Sequence, residues 1–243
     1  MSPLRAALLG GTAAVALAQA ASGAGRPVVV LDPGHDLRAS LVTEPIGPGS
    51  SVRKIRDGGG THGVLTGIRE ADLVLDVSLR ARRLLERAGV RVVLTRSRTA
   101  GTSIGNVARA RIANRARAAL FLRVHADGHP DSAVRGTHTL VPALRTGWTD
   151  DVYRESRIAA ELVQAELVAG LGFPDRGIEE RSDMTGFNWS DVPAILVELG
   201  FMTNPTEDRA LATGRVRAAA ALGLCRGTLR FLDRAPSACS RTP

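Results

Sequence analysis

The run Val28-Val29-Val30-Leu31, broken off by Asp32-Pro33-Gly34, limits what this 243-residue chain can become more than any other feature. Four consecutive branched apolar residues leave no polar face, so the segment reads as a strand buried on both sides that ends in a tight turn. His35 then stands at the carboxyl edge of a central strand. The pattern recurs: Ala119 to Val124 reads as a strand delivering His125, and Ala194-Ile195-Leu196-Val197, opened by Pro193, ends at Glu198-Leu199-Gly200.

Val90 to Leu94 and Thr137 to Val141 read as further strands. Between the strands lie helical patterns. Glu70 opens a segment whose apolar positions Leu73, Val74, Val77, Leu84, Leu85 and Ala88 mostly follow helical spacing as far as Gly89, and helices are expected over Val107 to Ala116, Asp150 to Leu171 and Arg215 to Leu232. Strands alternating with helices predict an α/β fold: one three-layer domain over residues 25–233, with a mainly parallel central sheet flanked by helices, then a flexible tail at 234–243. Sites in such sheets gather beyond the carboxyl ends of strands, where His35, His125 and Glu198 all fall. From Leu37 to Ile68 the pattern dissolves into Gly, Pro, Ser and charges, including Gly58-Gly59-Gly60, and a long surface loop is expected that covers or shapes a groove.

A buried His or Glu is unfavourable unless paired or ligated, so polar residues that each follow an apolar run call for a chemical reason. Two imidazoles and one carboxylate leave a fourth position open for water, the arrangement of hydrolytic zinc sites. His35, Glu70 and His125 would hold Zn2+, and Glu198, not needed as a ligand, would accept the attacking water's proton and pass it to the leaving amine. Other permutations stay open on the residues alone. His62, His129 and His138 are available, and Asp32, Asp36 and Asp127 lie beside the histidines. Asp32 and Asp127 would orient an imidazole or, the reading preferred here, form turns at Asp32-Pro33-Gly34 and Asp127-Gly128. His62, in the glycine-rich stretch, is expected to be exposed and idle.

Leu31-Asp32-Pro33-Gly34-His35, Ile68-Arg69-Glu70, Val124-His125-Ala126-Asp127 and the run from Pro193 to Pro205 (Pro-Ala-Ile-Leu-Val-Glu-Leu-Gly-Phe-Met-Thr-Asn-Pro) resemble, in that order, the motifs of the zinc-dependent N-acetylmuramoyl-L-alanine amidases of bacterial autolysin type. The resemblance extends from about Val28 to Leu232 and includes the Arg111-Ile112-Ala113-Asn114 helix. It implies that His35, Glu70 and His125 bind zinc and that Glu198 is catalytic. It also implies the substrate, peptidoglycan or muropeptide, cut at the amide between the lactyl group of N-acetylmuramic acid and the L-alanine of the stem peptide. The chain departs from the family pattern at Arg123-Val124, where a small or apolar residue usually precedes the second histidine. Arg181, Asp183 and Asn188, in a polar loop before the Glu198 strand, and His138 are candidate substrate contacts. The rivals are another zinc hydrolase of the same polymer, an endopeptidase or deacetylase, and an inactive wall-binding regulator; the latter would gain weight from a substituted ligand or Glu198, and none is substituted.

The formal net charge of +8 favours polyanions. Aromatic residues make up only 3%, and without stacking platforms or a nucleic-acid module the anionic polymers of a bacterial wall are the better match. The basic residues are nearly all arginine, with Lys54 the only lysine, and a GC-rich genome is the simpler source of that bias. At the N-terminus, Arg5, the apolar run Ala6 to Ala18 and the small-residue sites ending at Ala20 and Ala24 read as an export signal over residues 1–24. The run is shorter than the ~20 residues that span a bilayer, although an uncleaved anchor shares its outline. An exported monomer of the cell envelope or its surroundings is expected, without stable membrane insertion after processing. Export would let Cys225 and Cys239 pair; the alternative places Cys225 in the core and leaves Cys239 a free thiol in the tail.

Overall fold

The apolar runs do form the centre of a sheet. A computed structural model of the chain describes residues 25–36, 38–98 and 104–239, and the export signal read over residues 1–24 lies outside them. The elements are β1 (Val28–Pro33), β2 (Ser40–Pro45), β3 (Arg53–Asp57), α1 (Glu70–Arg87), β4 (Arg91–Leu94), α2 (Asn106–Arg115), β5 (Leu120–Asp127), β6 (Thr137–Pro142), α3 (Tyr153–Leu171), β7 (Asp175–Arg181), α4 (Thr185–Asn188), β8 (Ala194–Phe201), α5 (Pro205–Leu211) and α6 (Gly214–Phe231). Six strands form one sheet in the order β4-β1-β5-β8-β6-β7. β4, β1, β5 and β8 run parallel, whereas β6 pairs antiparallel with β8 and carries β7 alongside it in parallel.

Successive strand residues point to opposite faces, which explains why the central strands are apolar throughout. Val29, Leu31, Leu120, Leu122, Ile195 and Val197 face one layer, built from α1, α3 and α6. Val30, Phe121 and Leu196 face the other, where Ala110 and Ala113 of α2 and Phe187 of α4 cover them. Phe121, Phe187, Leu31, Leu122, Ile195 and Leu196 are almost wholly inaccessible. Each such side chain stabilises the fold by ~1.5–3 kcal/mol through removal from water. The α/β architecture with helices on both faces therefore holds.

Two expectations need correction, and one strand went unanticipated. The stretch read as a loop from Leu37 to Ile68 contains the antiparallel hairpin β2–β3; Leu41, Val42 and Ile55 on it are exposed, so no apolar face marked it in the sequence. β7, with the sequence DRGIEER, was hidden for the same reason, because it joins the edge of the sheet with mostly exposed side chains. The tail expected to be flexible from residue 234 is seated as far as Cys239, which is buried and disulfide-bonded to Cys225 of α6. Of the two cysteine readings, pairing is the one the structure bears out.

Candidate active site

β1 and β5 are parallel neighbours, and their carboxyl ends bring His35 and His125 together with ring centroids 4.8 Å apart. Gly34 makes this possible: a Cβ there would collide with the His125 imidazole. His35 adopts a left-handed backbone with φ 54°, rare outside glycine, which turns the chain sharply out of β1. Glu70 is the first residue of α1, at the positive end of the helix dipole. Its Oε1 lies 3.2 Å from His35 Nε2 and 3.0 Å from His125 Nδ1, so one carboxylate oxygen faces both rings.

The rest of the Glu70 carboxylate is held by backbone amides. Thr61 N donates to Oε2 at 3.0 Å and Ala126 N to Oε1 at 3.2 Å. Burial alone would raise this carboxyl, but the bonds from His125 and His35 hold it well below the usual carboxylate range. His35 is fixed from behind by Asp57, the last residue of β3, whose Oδ1 lies 2.7 Å from Nδ1 and also accepts from Gly59 N at 2.8 Å. Burial pulls the His35 imidazole down, yet the bonds to Asp57 and Glu70 outweigh it and raise its pKa to about 9. His125 moves the other way, driven down by burial, and its Nε2 is buried without a hydrogen-bond partner.

His35, Glu70 and His125 each offer one ligand atom, all within 4.8 Å of one another. Two imidazole nitrogens and a carboxylate oxygen fit a divalent cation such as zinc, and the anchoring of His35 Nδ1 by Asp57 leaves its Nε2 as the nitrogen turned toward the cluster. Asp57 takes the orienting role that had been considered for Asp32 and Asp127. Asp32 is neither an orienting group nor a simple turn residue. It is fully buried and accepts from Arg109 Nη1 at 2.6 Å, Arg123 Nε at 2.8 Å and Thr95 Oγ1 at 2.5 Å. Burial would raise its pKa, but the two guanidinium groups hold it well below the usual range.

Glu198 is directly opposite His125 in the β5–β8 register and opposite His138 in the β6–β8 register. It lies within β8 rather than at its end. Burial pushes its carboxyl well above the usual carboxylate range, with Glu70 and Asp127 adding to the effect, and its Oε2 has no hydrogen-bond partner. An open trough of about 510 Å³ exposes His35, Glu70, His125 and Glu198 together beside Asp127, His129 and Thr203. A second cavity of about 210 Å³ lies against His35 and His125, lined in addition by Arg123, Arg181, Asp183 and the β3 residues Lys54 to Asp57.

The candidate contacts divide. Arg181 and Asp183 line the smaller cavity, bonded to each other at 2.9 Å. His138 is buried, stacks on Phe201 with centroids 5.7 Å apart and has Asp127 Oδ2 3.7 Å from Nε2; burial lowers its pKa. Asn188 faces inward instead, 1% exposed, its amide donating to the carbonyls of Ile46 and Ser182. It braces the loop between β7 and β8 against the hairpin, so its assignment as a substrate contact is not supported by its position. His62 is exposed, as expected, and makes a lone bridge to Arg69.

The profile of the family described as "N-acetylmuramoyl-L-alanine amidase" matches residues 29–230. The chain is 32% identical over 211 residues to N-acetylmuramoyl-L-alanine amidase Rv3717 of Mycobacterium tuberculosis, an alignment covering 84% of this chain and 86% of the relative. It is 26% identical over 243 residues to N-acetylmuramoyl-L-alanine amidase AmiA of Escherichia coli, covering 85% and 76% of the two chains. Among solved structures, that of the N-acetylmuramyl-L-alanine amidase Ami1 from Mycobacterium smegmatis superposes with a TM-score of 0.77 at 29% identity, over 86% of this chain and 98% of the other.

Proposed function

This chain belongs to the N-acetylmuramoyl-L-alanine amidase family, whose reaction frees the stem peptide of peptidoglycan from its muramic acid, and from that premise we propose that it works as a zinc enzyme with His35, Glu70 and His125 as ligands and Glu198 as general base. The observation that carries the reading is the meeting of three donor atoms within 4.8 Å in a trough that also exposes Glu198.

Zinc in such a site makes a water acidic enough to ionise near neutral pH and polarises a carbonyl oxygen. The residues supply the remainder. Asp57 holds the His35 ring by its Nδ1, and Thr61 N and Ala126 N hold the Glu70 carboxylate. Glu198 takes the proton of the attacking water on its carboxylate and returns it to the nitrogen of L-alanine as the amide breaks. Its burial supports the second half of that cycle, because a carboxyl with a raised pKa retains a proton long enough to deliver it.

The reaction takes place in the cell envelope or outside the cell. The export signal read over residues 1–24 and the Cys225–Cys239 disulfide, a bond of oxidising compartments, both support that location. Among the described residues no helix is long and apolar enough to cross a membrane. Bound-metal analysis combined with mass spectrometry of digested muropeptides tests the assignment. The expected result is about one zinc per chain and stem peptides with a free L-alanine amine; Glu198→Gln should keep the zinc and lose at least ~100-fold in turnover, a typical contribution of a general base. Full turnover by that variant, or by metal-stripped protein, would refute the division of roles.

A further inference from the structure

The smaller cavity beside His35 has a cationic wall. Lys54, Arg56, Arg109, Arg123 and Arg181 all line it, against Asp57 and Asp183. Two carboxylates are each shared between two of these cations. Asp183 accepts from Lys54 Nζ at 2.8 Å and from Arg181 Nε at 2.9 Å, while the buried Asp32 behind the wall accepts from both Arg109 and Arg123. Glu179 reaches Arg181 as well, at 3.6 Å.

Arg56 is the least satisfied of the five. Among the described residues its nearest carboxylate oxygen, Glu44 Oε2, is 3.9 Å from Nε, outside hydrogen-bonding range, and 41% of the side chain is open to solvent. Glu44 is turned to other donors, the backbone amides of Asn106 and Val107 at the start of α2. Among the described residues Arg56 is thus the one of the five cations with no carboxylate within hydrogen-bonding range. An arginine fork is suited to a carboxylate, and a planar anion entering here would meet that of Arg56.

We propose that this cavity binds a carboxylate of the stem peptide, so that the peptide arm of the substrate lies on the β3 side of the site. The proposal rests on the amidase reading and extends it to substrate orientation. The muramic acid is uncharged once its lactyl carboxyl is tied up in the scissile amide, whereas a peptide carries carboxylates. Arg56 is the principal contact, and Asp183 is the chain's own anion competing for Lys54 and Arg181.

Two soluble muramoyl peptides that differ only in the second residue, free α-carboxylate or α-carboxamide, provide the test, with kcat/KM measured for each on the zinc-loaded full chain. The wild type should favour the carboxylate about tenfold or more, the range of one charge-assisted hydrogen bond. Arg56→Met should bring the ratio close to one, and Asp183→Asn, which frees two cations, should raise it. Equal cleavage of both peptides by the wild type would overturn the proposal and leave the amidase reading intact. An Arg56→Met variant that lowers both rates by the same factor would overturn it too, because a merely structural role has that effect. Cleavage of neither peptide would sink the amidase reading and the proposal together.

Discussion

Asp57 lies 22 residues from His35 in the chain and touches it at 2.7 Å. Without that bond the imidazole could rotate, so Asp57→Asn should weaken zinc binding by ~10–100-fold, the usual effect of removing a partner that orients a ligand. Competition with a chromogenic chelator measures this, and an affinity equal to wild type would show that the ring is held by packing alone. His35, His125 and Glu198 were legible in the sequence because each follows an apolar run, and Glu70 because it opens an amphipathic helix. Asp57 follows no such pattern, since Arg53-Lys54-Ile55-Arg56 before it has no consistent face. The trace it left is Gly58-Gly59-Gly60: a Cβ at Gly60 would come within 2.9 Å of Glu70 Oε2 and 3.0 Å of His35 Cδ2, so the chain must pass there without side chains. Asn188, placed by the sequence in a polar loop, ends α4 and is buried, because its amide is taken up by two backbone carbonyls.

β1, β5 and α2 are joined at a single buried carboxylate, because Asp32 of β1 takes Arg123 from β5 and Arg109 from α2. Removing one partner of a buried ion pair leaves uncompensated charge, and Asp32→Asn leaves two such cations; a loss of ~3–5 kcal/mol in unfolding free energy is expected, read from denaturant titration at neutral pH. The wild type carries the same dependence on acid. The folded pKa of Asp32 is lowered, so its contribution is complete above the ordinary carboxylate range near 4 and falls away as pH drops through that range toward the folded value. A variant with unchanged stability would mean that the guanidinium groups find water or other acceptors. Among the elements, the buried parallel strands were plain because both faces are apolar. β2, β3 and β7 were not, since partner strands impose their extended form on sequences with largely exposed side chains. Nor could the reversed direction of β6 be read, because strand polarity leaves no mark on composition.

The segment after α6 is tied down by the Cys225–Cys239 disulfide, which spans 14 residues. Closing a loop of that length removes unfolded-state freedom equivalent to about 3 kcal/mol, so the Cys225→Ala, Cys239→Ala double variant should unfold at correspondingly lower denaturant, as should reduced wild type, with muropeptide cleavage retained at 25 °C. Identical unfolding curves with and without reductant would contradict this. At the site, β3 combines two tasks in adjacent positions: Arg56 faces the cationic cavity, and Asp57 grips His35. A substitution at Arg56 alters the cavity wall, whereas one at the next position would release the His35 ring. Under the proposed roles, what the chain selects and how it holds its imidazole would thus meet across one peptide bond.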